Sequence, residues 1–282
     1  MVQGANVYSK ILIPITRTSN MKFLVDFVNH FLKPGGEITF LHIIASDLFT
    51  ISPAEWRRAM STISTTHLLS ATEGMRVDYK VKKSLSVASG ILDEAESGKY
   101  DLILLHFQNW QQPGPGERAR ENLRQLVEGG KGVALVHFAC GAWFGEWPEF
   151  VKLAGRAWFG SNPGAGKRQH DPYGPFRVEL AKREHPIVRG MTDFDTQDEL
   201  STCLVGDYPI EILAQAKSKV DGKYYPMAFV SHYGKGRTFH CVFGHDTKSL
   251  GTPAVQELYR RGCAWAAGLE SVPSTGAQPA NK

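Results

Sequence analysis

The chain of 282 residues is 42% hydrophobic and 21% charged, a composition typical of a globular protein with enough apolar material for a core. Its length suits one large domain or two small ones. The formal net charge of +4 is small, and no run of Lys and Arg is long enough to follow a phosphate backbone. The composition therefore argues against disorder and against a nucleic-acid partner.

The sequence also indicates the compartment. Apolar runs such as residues 101–107 are far shorter than the roughly 20 residues that span a bilayer, and the N-terminus has no secretion signal. The cysteines lack CxxC spacing, which favours reduced thiols over a disulfide or zinc framework. They are Cys140, Cys203, Cys241 and Cys263. We expect a soluble, cytoplasmic protein with no membrane partner.

Strands and helices alternate through the first half of the chain. Apolar, β-branched runs predict strands at residues 10–15, 37–44, 77–82, 101–107 and 132–137, with the third at a sheet edge. Apolar residues at helical spacing predict helices at residues 21–32, 53–74, 86–97 and 116–128. The Pro-Gly-Gly segment at residues 34–36 should end the first of these helices.

The alternation changes after residue 137. Residues 143–168 are rich in Trp, Phe, Gly and Pro, which predicts a short helix and a long irregular loop. Further strands are predicted at residues 176–180, 210–216, 225–231 and 237–243, then a helix at 253–267 and a disordered tail at 270–282. Alternating strands and helices favour an α/β fold with a mainly parallel, doubly wound, flavodoxin-like sheet and helices on both faces.

Several short motifs of the second half follow one another in the order found in a known family. They lie at residues 100–105, 109–110, 129–137, 147–150, 170–171, 184–190, 198–200, 233–237 and 244–246. Through them, residues 101–269 resemble the ThuA family. The resemblance implies a sheet of the class I glutamine amidotransferase-like kind and a role in the metabolism of sugars such as trehalose.

Residues 7–100 instead resemble a universal stress protein, through the segments 10–15, 38–44, 87–92 and 100–103. Thr16 replaces the Asp that usually follows the first strand of that family, and its glycine-rich nucleotide loop is missing, so we expect no ATP. The junction near residue 100 indicates a natural mosaic or an engineered chimera. Because a half ending there would lack strands to close its core, we expect both halves to share one continuous sheet.

Polar residues after the predicted strands are the candidates for chemistry, because ligands of open parallel sheets bind at the carboxyl ends of the strands. His137 ends the strand 132–137, and His245 follows the strand 237–243. The ThuA resemblance adds His170 and Glu199. His137, His245 and Glu199 are the predicted catalytic residues, and His137, His170 and His245 are the predicted ligands of a divalent metal such as zinc.

A second group of residues is predicted to bind a small, sugar-like ligand. Its members are Asn109, Trp110, Trp147, His170 and Asp246. The alternative for the histidines and Glu199 is structural: a strand-end cap, a donor to a carbonyl and a loop-ordering carboxylate. Aromatic side chains crowd the same part of the sequence and could stack on a pyranose or fill the core. They are Trp110, Trp143, Phe144, Trp147, Trp158, Phe159 and Tyr173.

Two other motifs favour a structural interpretation. Cys140 occupies the position of an amidotransferase nucleophile, but Phe138 breaks the small-residue rule of that turn and no His-x-Glu pair follows, which favours an inert thiol. The glycines at residues 233–237 precede a strand, so they indicate a β-hairpin turn rather than a phosphate loop.

Two functions remain open from the sequence, which does not decide whether the protein is an enzyme. The first is an enzyme of carbohydrate metabolism that acts on a sugar or an oxidised sugar with metal-ligand or acid-base residues. The second is a binding or regulatory module that holds a small polyol without turnover, in a homodimer built through the first half. An engineered fold chimera without retained activity is a further alternative.

Overall fold

The computed structural model describes residues 8–15, 32–45, 52–54, 56–57, 60–61, 76–84, 87–97, 100, 102–106, 108, 116–143, 146–158 and 170–269. The first three strands form a parallel sheet in the order β1-β2-β3. They are β1 (Tyr8–Ile15), β2 (Leu32–Ala45) and β3 (Arg76–Ser84), and helix α1 (Val87–Ser97) follows them. As predicted, the third strand lies at an edge, where its lysines discourage pairing with another chain.

The second sheet has seven strands in the order β4-β5-β10-β9-β8-β6-β7. Its strands are β4 (Leu102–Leu105), β5 (Gly132–Val136), β6 (Gly174–Leu180), β7 (Phe194–Asp198), β8 (Glu211–Lys217), β9 (Tyr224–Tyr233) and β10 (Gly236–Cys241). The accompanying helices are α2 (Glu117–Glu128), α3 (Phe150–Ala154), α4 (Thr247–Leu250) and α5 (Pro253–Ala266). A 3₁₀ turn (His137–Gly141) follows β5 directly.

The prediction of an α/β fold is confirmed, but the larger sheet is mixed rather than mainly parallel. β4, β5 and β10 are parallel neighbours. From β10 onward, in the order β10, β9, β8, β6 and β7, each strand is antiparallel to its neighbour. The reason lies in the connections, because parallel neighbours need long crossovers and antiparallel ones can be joined by tight turns. β9 and β10 are joined in this way at Gly234 and Lys235, which is the hairpin predicted from the sequence.

The described strands do not form the one continuous sheet expected from the sequence, because β4 pairs with β5 and the first three strands pair only among themselves. The two parts meet through helices instead. Ala95 of α1 and the nearby Tyr100 share a hydrophobic cluster with Leu123 and Val127 of α2. The backbone carbonyl of Tyr100 also accepts a hydrogen bond from the Lys131 side chain, with a distance of 2.6 Å.

Most described elements lie where the hydrophobic pattern predicts them, but β7 and residues 34–36 differ from the prediction. The edge strand β7 was not predicted, because its sequence, Phe-Asp-Thr-Gln-Asp, has only one large apolar residue. Residues 34–36, predicted to end a helix, lie within β2, where the register with β1 is irregular. The predicted helix 21–32 and most of the predicted helix 53–74 lie outside the described residues, as does the tail 270–282.

The carboxyl ends of β5 and β10, which precede His137 and His245, lie side by side. β5 and β10 are parallel, and Val136 pairs with Cys241 in the last register position of both strands. Helix α5 lies directly on this sheet: a Cβ added at Gly262 would come within 2.3 Å of the Phe239 ring. Residues that leave β5 and β10 therefore emerge at one edge. In the described part of the chain, no helix is long and apolar enough to cross a membrane.

Candidate functional site

His137 takes up an unusual backbone conformation at the end of β5. Its φ is +48°, in the left-handed region that non-glycine residues rarely occupy, and such strain is commonly found at functional sites. Its Nδ1 lies 2.9 Å from the backbone oxygen of Val242, at the end of the neighbouring strand. A carbonyl oxygen only accepts, so Nδ1 carries the proton and Nε2 of the neutral ring keeps its lone pair. His137 can therefore offer Nε2 to a metal or a substrate proton.

Gly244 brings the turn after β10 close to His137. Its φ is +131°, and a Cβ added there would lie 3.3 Å from the Cβ of His137. Glycine therefore relieves both the backbone conformation and the contact. The next residue is His245, whose ring centroid lies 5.8 Å from that of His137 at an interplanar angle of 78°.

Glu199 lies between two histidines. Its Oε2 is 3.2 Å from Nδ1 of His245, and its Oε1 is 3.5 Å from Nε2 of His170. The Glu199 side chain is 21% exposed, while the His245 and His170 side chains are 43% and 40% exposed, so the carboxylate is shielded and the rings reach solvent.

Three of these residues form a set that could hold a metal ion. His137, Glu199 and His245 each offer a ligand atom, and the three atoms lie within 4.8 Å of one another. Two histidines and one glutamate leave a fourth position open, as in catalytic zinc sites. Ligands at about 2.1 Å around a tetrahedral zinc are roughly 3.4 Å apart, so the side chains would have to close by about an ångström. The residues fit a metal after a small movement.

His170 touches this cluster from one side rather than joining it. Its Nδ1 lies 2.7 Å from the backbone oxygen of Asp171, so Nδ1 donates to that oxygen, and its Nε2 faces Oε1 of Glu199. The possible ligand set is thus His137, Glu199 and His245, whereas the set predicted from the sequence had His170 in place of Glu199.

Asp246 has a structural partner for each carboxylate oxygen. Its Oδ1 accepts hydrogen bonds from the backbone N–H groups of Lys248 and Ser249 and so caps α4, and its Oδ2 accepts one from the Tyr173 hydroxyl at 2.6 Å. Burial alone would raise the pKa of Asp246, but these hydrogen bonds lower it overall. The bond to Asp246 raises the pKa of Tyr173 to about 12. The Tyr173 ring lies 5.3 Å from that of His245, at the border of the cluster.

Among the remaining predicted ligand-binding residues, the structure describes only Trp147. Trp147 is buried in the hydrophobic core, with its ring 5.3 Å from that of Trp143 and 5.7 Å from that of Phe150, a placement that favours packing over sugar contact. The sequence did not separate these roles because both use buried aromatic rings. Asn109 and Trp110 lie outside the described residues.

Cys140 is buried in the 3₁₀ turn after β5. Burial raises the pKa of its thiol to about 12, so the reactive thiolate is scarce at neutral pH. The structure therefore gives no support to its use as a nucleophile, in agreement with the inert thiol favoured by the sequence.

Asp198 was not among the site residues predicted from the sequence, although it lies beside Glu199 in the 198–200 motif. Its fully buried carboxylate accepts hydrogen bonds from the turn after β10. Burial of an acidic residue at the end of a strand depends on tertiary contacts that no periodic pattern shows.

The fold and the site define a mixed α/β protein in which two histidines that follow the parallel strands β5 and β10 meet a glutamate that follows the edge strand β7. The family model "ThuA: Trehalose utilisation" matches residues 52–266, and the chain belongs to this family. The match begins well before residue 101, so it includes β3 and α1, which lie within the residues 7–100 that were predicted to resemble a universal stress protein. None of the comparisons supports the universal stress protein resemblance. No protein of curated function matches the sequence significantly.

Solved structures show the same fold. A ThuA-like protein from Parabacteroides merdae is similar with a TM-score of 0.60 and 24% identity, over 86% of this chain and 93% of that one. A ThuA-like protein from Bacteroides uniformis has a TM-score of 0.54 and 14% identity, over 94% and 93% of the two chains. A glutamine amidotransferase from Thermotoga maritima has a TM-score of only 0.39 at 13% identity, over 81% of this chain and 97% of that one, a similarity too low to support an argument about fold or activity.

Proposed function

We propose that this protein is an enzyme of carbohydrate metabolism that acts on a small sugar or oxidised sugar at the cluster of His137, Glu199 and His245. The observation that carries the proposal is the meeting of three ligand atoms within 4.8 Å, from three segments of the chain far apart in sequence. The family description, trehalose utilisation, supports a sugar as the substrate class.

The donor set favours a divalent metal such as zinc. When bound, such an ion lowers the pKa of a coordinated water towards 7 and polarises a sugar oxygen. His137 is prepared for this use because Val242 fixes the proton on Nδ1 and leaves Nε2 free to coordinate. Glu199 would neutralise part of the positive charge of the ion, while its other carboxylate oxygen lies next to His170.

The residues around the cluster suit a polyol. Sugar hydroxyls need acceptors and donors at fixed positions, and polar groups of this kind give small-molecule sites their specificity. His170 and His245 are partly exposed beside Glu199, and the Tyr173 hydroxyl and Asp246 lie at the border of the cluster. A small sugar at the open metal position would be within reach of these groups.

Elemental analysis of the purified protein tests the metal directly. We expect stoichiometric zinc or a similar divalent metal in the wild type, and its loss in His137→Ala, Glu199→Gln and His245→Ala. His232→Ala is the matched control, because that exposed histidine lies at the opposite end of β9 and β10 and contacts Trp265 instead. Metal retained by the three site variants would contradict the assigned ligands.

Turnover is measured separately. Trehalose and a panel of keto-sugars are incubated with the metal-loaded protein and followed by nuclear magnetic resonance, with Glu199→Gln as the inactive reference. Product formed by the wild type and not by the variant supports the enzyme. A metal-free protein that binds a sugar without changing it would instead favour the binding module.

A further inference from the structure

Asp198 is a fully buried carboxylate at the end of β7 that satisfies its charge with hydrogen bonds from neutral donors. Its Oδ1 accepts from the backbone N–H groups of Glu199 at 2.7 Å and His245 at 3.4 Å. Its Oδ2 accepts from the backbone N–H of Gly244 at 2.8 Å and from the Ser249 hydroxyl. An ionised carboxylate has about four acceptor positions, so these four donors occupy them all.

The four bonds connect two of the three chain segments that carry candidate ligands, those of Glu199 and His245. Glu199 follows β7, and His245 follows β10; these strands lie at different places in the sheet and pair with different neighbours. Yet the backbone N–H groups of both residues point to the same oxygen of Asp198, and their side chains meet with 3.2 Å between Oε2 and Nδ1. The N–H of Gly244 at 2.8 Å and the more distant N–H of His245 at 3.4 Å hold the same turn to the carboxylate, and hydrogen bonds to an ionised carboxylate are stronger than neutral ones.

Resting on the proposed function, we infer that Asp198 is the positioning residue of the candidate metal site. It is not a ligand, because it is buried and its acceptor positions are filled. It holds the backbone of Glu199 against the backbone of His245, so that their side chains converge without a metal. Residues that orient ligands in this way typically change metal affinity 10- to 100-fold when they are replaced.

The isosteric change Asp198→Asn separates positioning from packing. The side-chain volume stays nearly the same, but one oxygen becomes an NH₂ group that donates and cannot accept. At least one backbone N–H group would then face another donor, because only the Ser249 hydroxyl can rotate and accept instead, and we expect the turn carrying His245 to move away from Glu199. Thr196→Val is the matched control: this buried residue lies two positions earlier on β7, and its hydroxyl bonds Thr252 at 2.9 Å instead.

Cobalt titration measures the effect, because the visible absorption bands of bound Co²⁺ report both affinity and ligand geometry. We expect Asp198→Asn to bind Co²⁺ 10- to 100-fold more weakly than the wild type, with altered bands, and Thr196→Val to stay within about threefold. A folded Asp198→Asn variant with the Co²⁺ affinity and absorption bands of the wild type would overturn the inference. If that variant does not fold, Ser249→Ala removes one donor only, and we expect a severalfold weakening; an unchanged affinity there would also overturn it.

Metal-free crystal structures keep this test independent of the proposed function. If the wild type binds no Co²⁺, the metal part of the proposed function fails, and the geometry of the apo proteins decides the inference. We expect the contact between Glu199 Oε2 and His245 Nδ1 to be retained in the wild type and in Thr196→Val and lost in Asp198→Asn. The same contact kept in all three proteins would show that Asp198 does not position the pair.

Discussion

Nδ1 of His137 lies 2.9 Å from the backbone oxygen of Val242, a residue 105 positions later in the chain. The contact exists because β5 and β10 are parallel neighbours whose last residues pair, which places the two strand exits together. It fixes the imidazole tautomer before any ligand arrives. His137 also has a φ of +48°, a backbone conformation that glycine adopts at lower steric cost than histidine.

Replacing His137 by Gly and by Ala should separate its two roles. Both variants are expected to lose bound metal. His137→Gly should be more stable than His137→Ala by roughly 1 kcal/mol, because only glycine adopts the left-handed conformation without steric cost. Urea denaturation measures the difference and elemental analysis the metal. Equal stability of the two variants would contradict the backbone strain assigned to residue 137.

Cys140→Ala should leave metal content and turnover largely unchanged, because a buried thiol with a pKa of about 12 is not a ready nucleophile. The substitution should lower the free energy of unfolding by roughly 1 kcal/mol, through lost packing contacts alone. Iodoacetamide at pH 8 should label wild-type Cys140 slowly. Loss of turnover in the variant, together with a trapped substrate adduct on Cys140 in the wild type, would reverse this conclusion.

His240 should make the fold sensitive to acid. Burial lowers the pKa of this fully buried ring to about 4, while its Nδ1 bonds the backbone oxygen of Ala154 at 3.0 Å. The unfolded chain takes up the proton near pH 6.5 and the folded chain only near pH 4. Between these values the unfolded state binds more protons, so the unfolding free energy falls as the pH drops, by up to about 3 kcal/mol.

Urea denaturation of His240→Asn at pH 7 and pH 4.5 checks this pH dependence. The amide can still donate to Ala154 but does not titrate, so the loss of stability between the two pH values should be about 2 kcal/mol smaller than in the wild type. The exposed His232→Ala is the control and should keep the wild-type loss. An unchanged loss in His240→Asn would show that other groups cause the acid sensitivity.

The two parts of the chain should unfold together although their strands form separate sheets. Ala95 and Tyr100 share a hydrophobic cluster with Leu123, which couples α1 to α2. Calorimetry should therefore show one cooperative transition, and Leu123→Ala should lower its midpoint without splitting it. Two well-separated transitions in the wild type would mean that this cluster does not join the halves.

The sequence by itself determined the α/β class, most of the described strands and helices, and the family, because hydrophobic periodicity and short motifs are local properties. It also identified His137 and His245, since each follows a predicted strand. Only the tertiary structure decided that the second sheet is mixed, that Trp147 packs in the core, and that Glu199 rather than His170 completes the possible ligand set. These features depend on which strands pair and which side chains are buried, and both follow from contacts between residues far apart in the chain. Asp198 shows this most clearly: an acidic residue on a short polar strand becomes a buried anchor only when the turn after β10 supplies its donors.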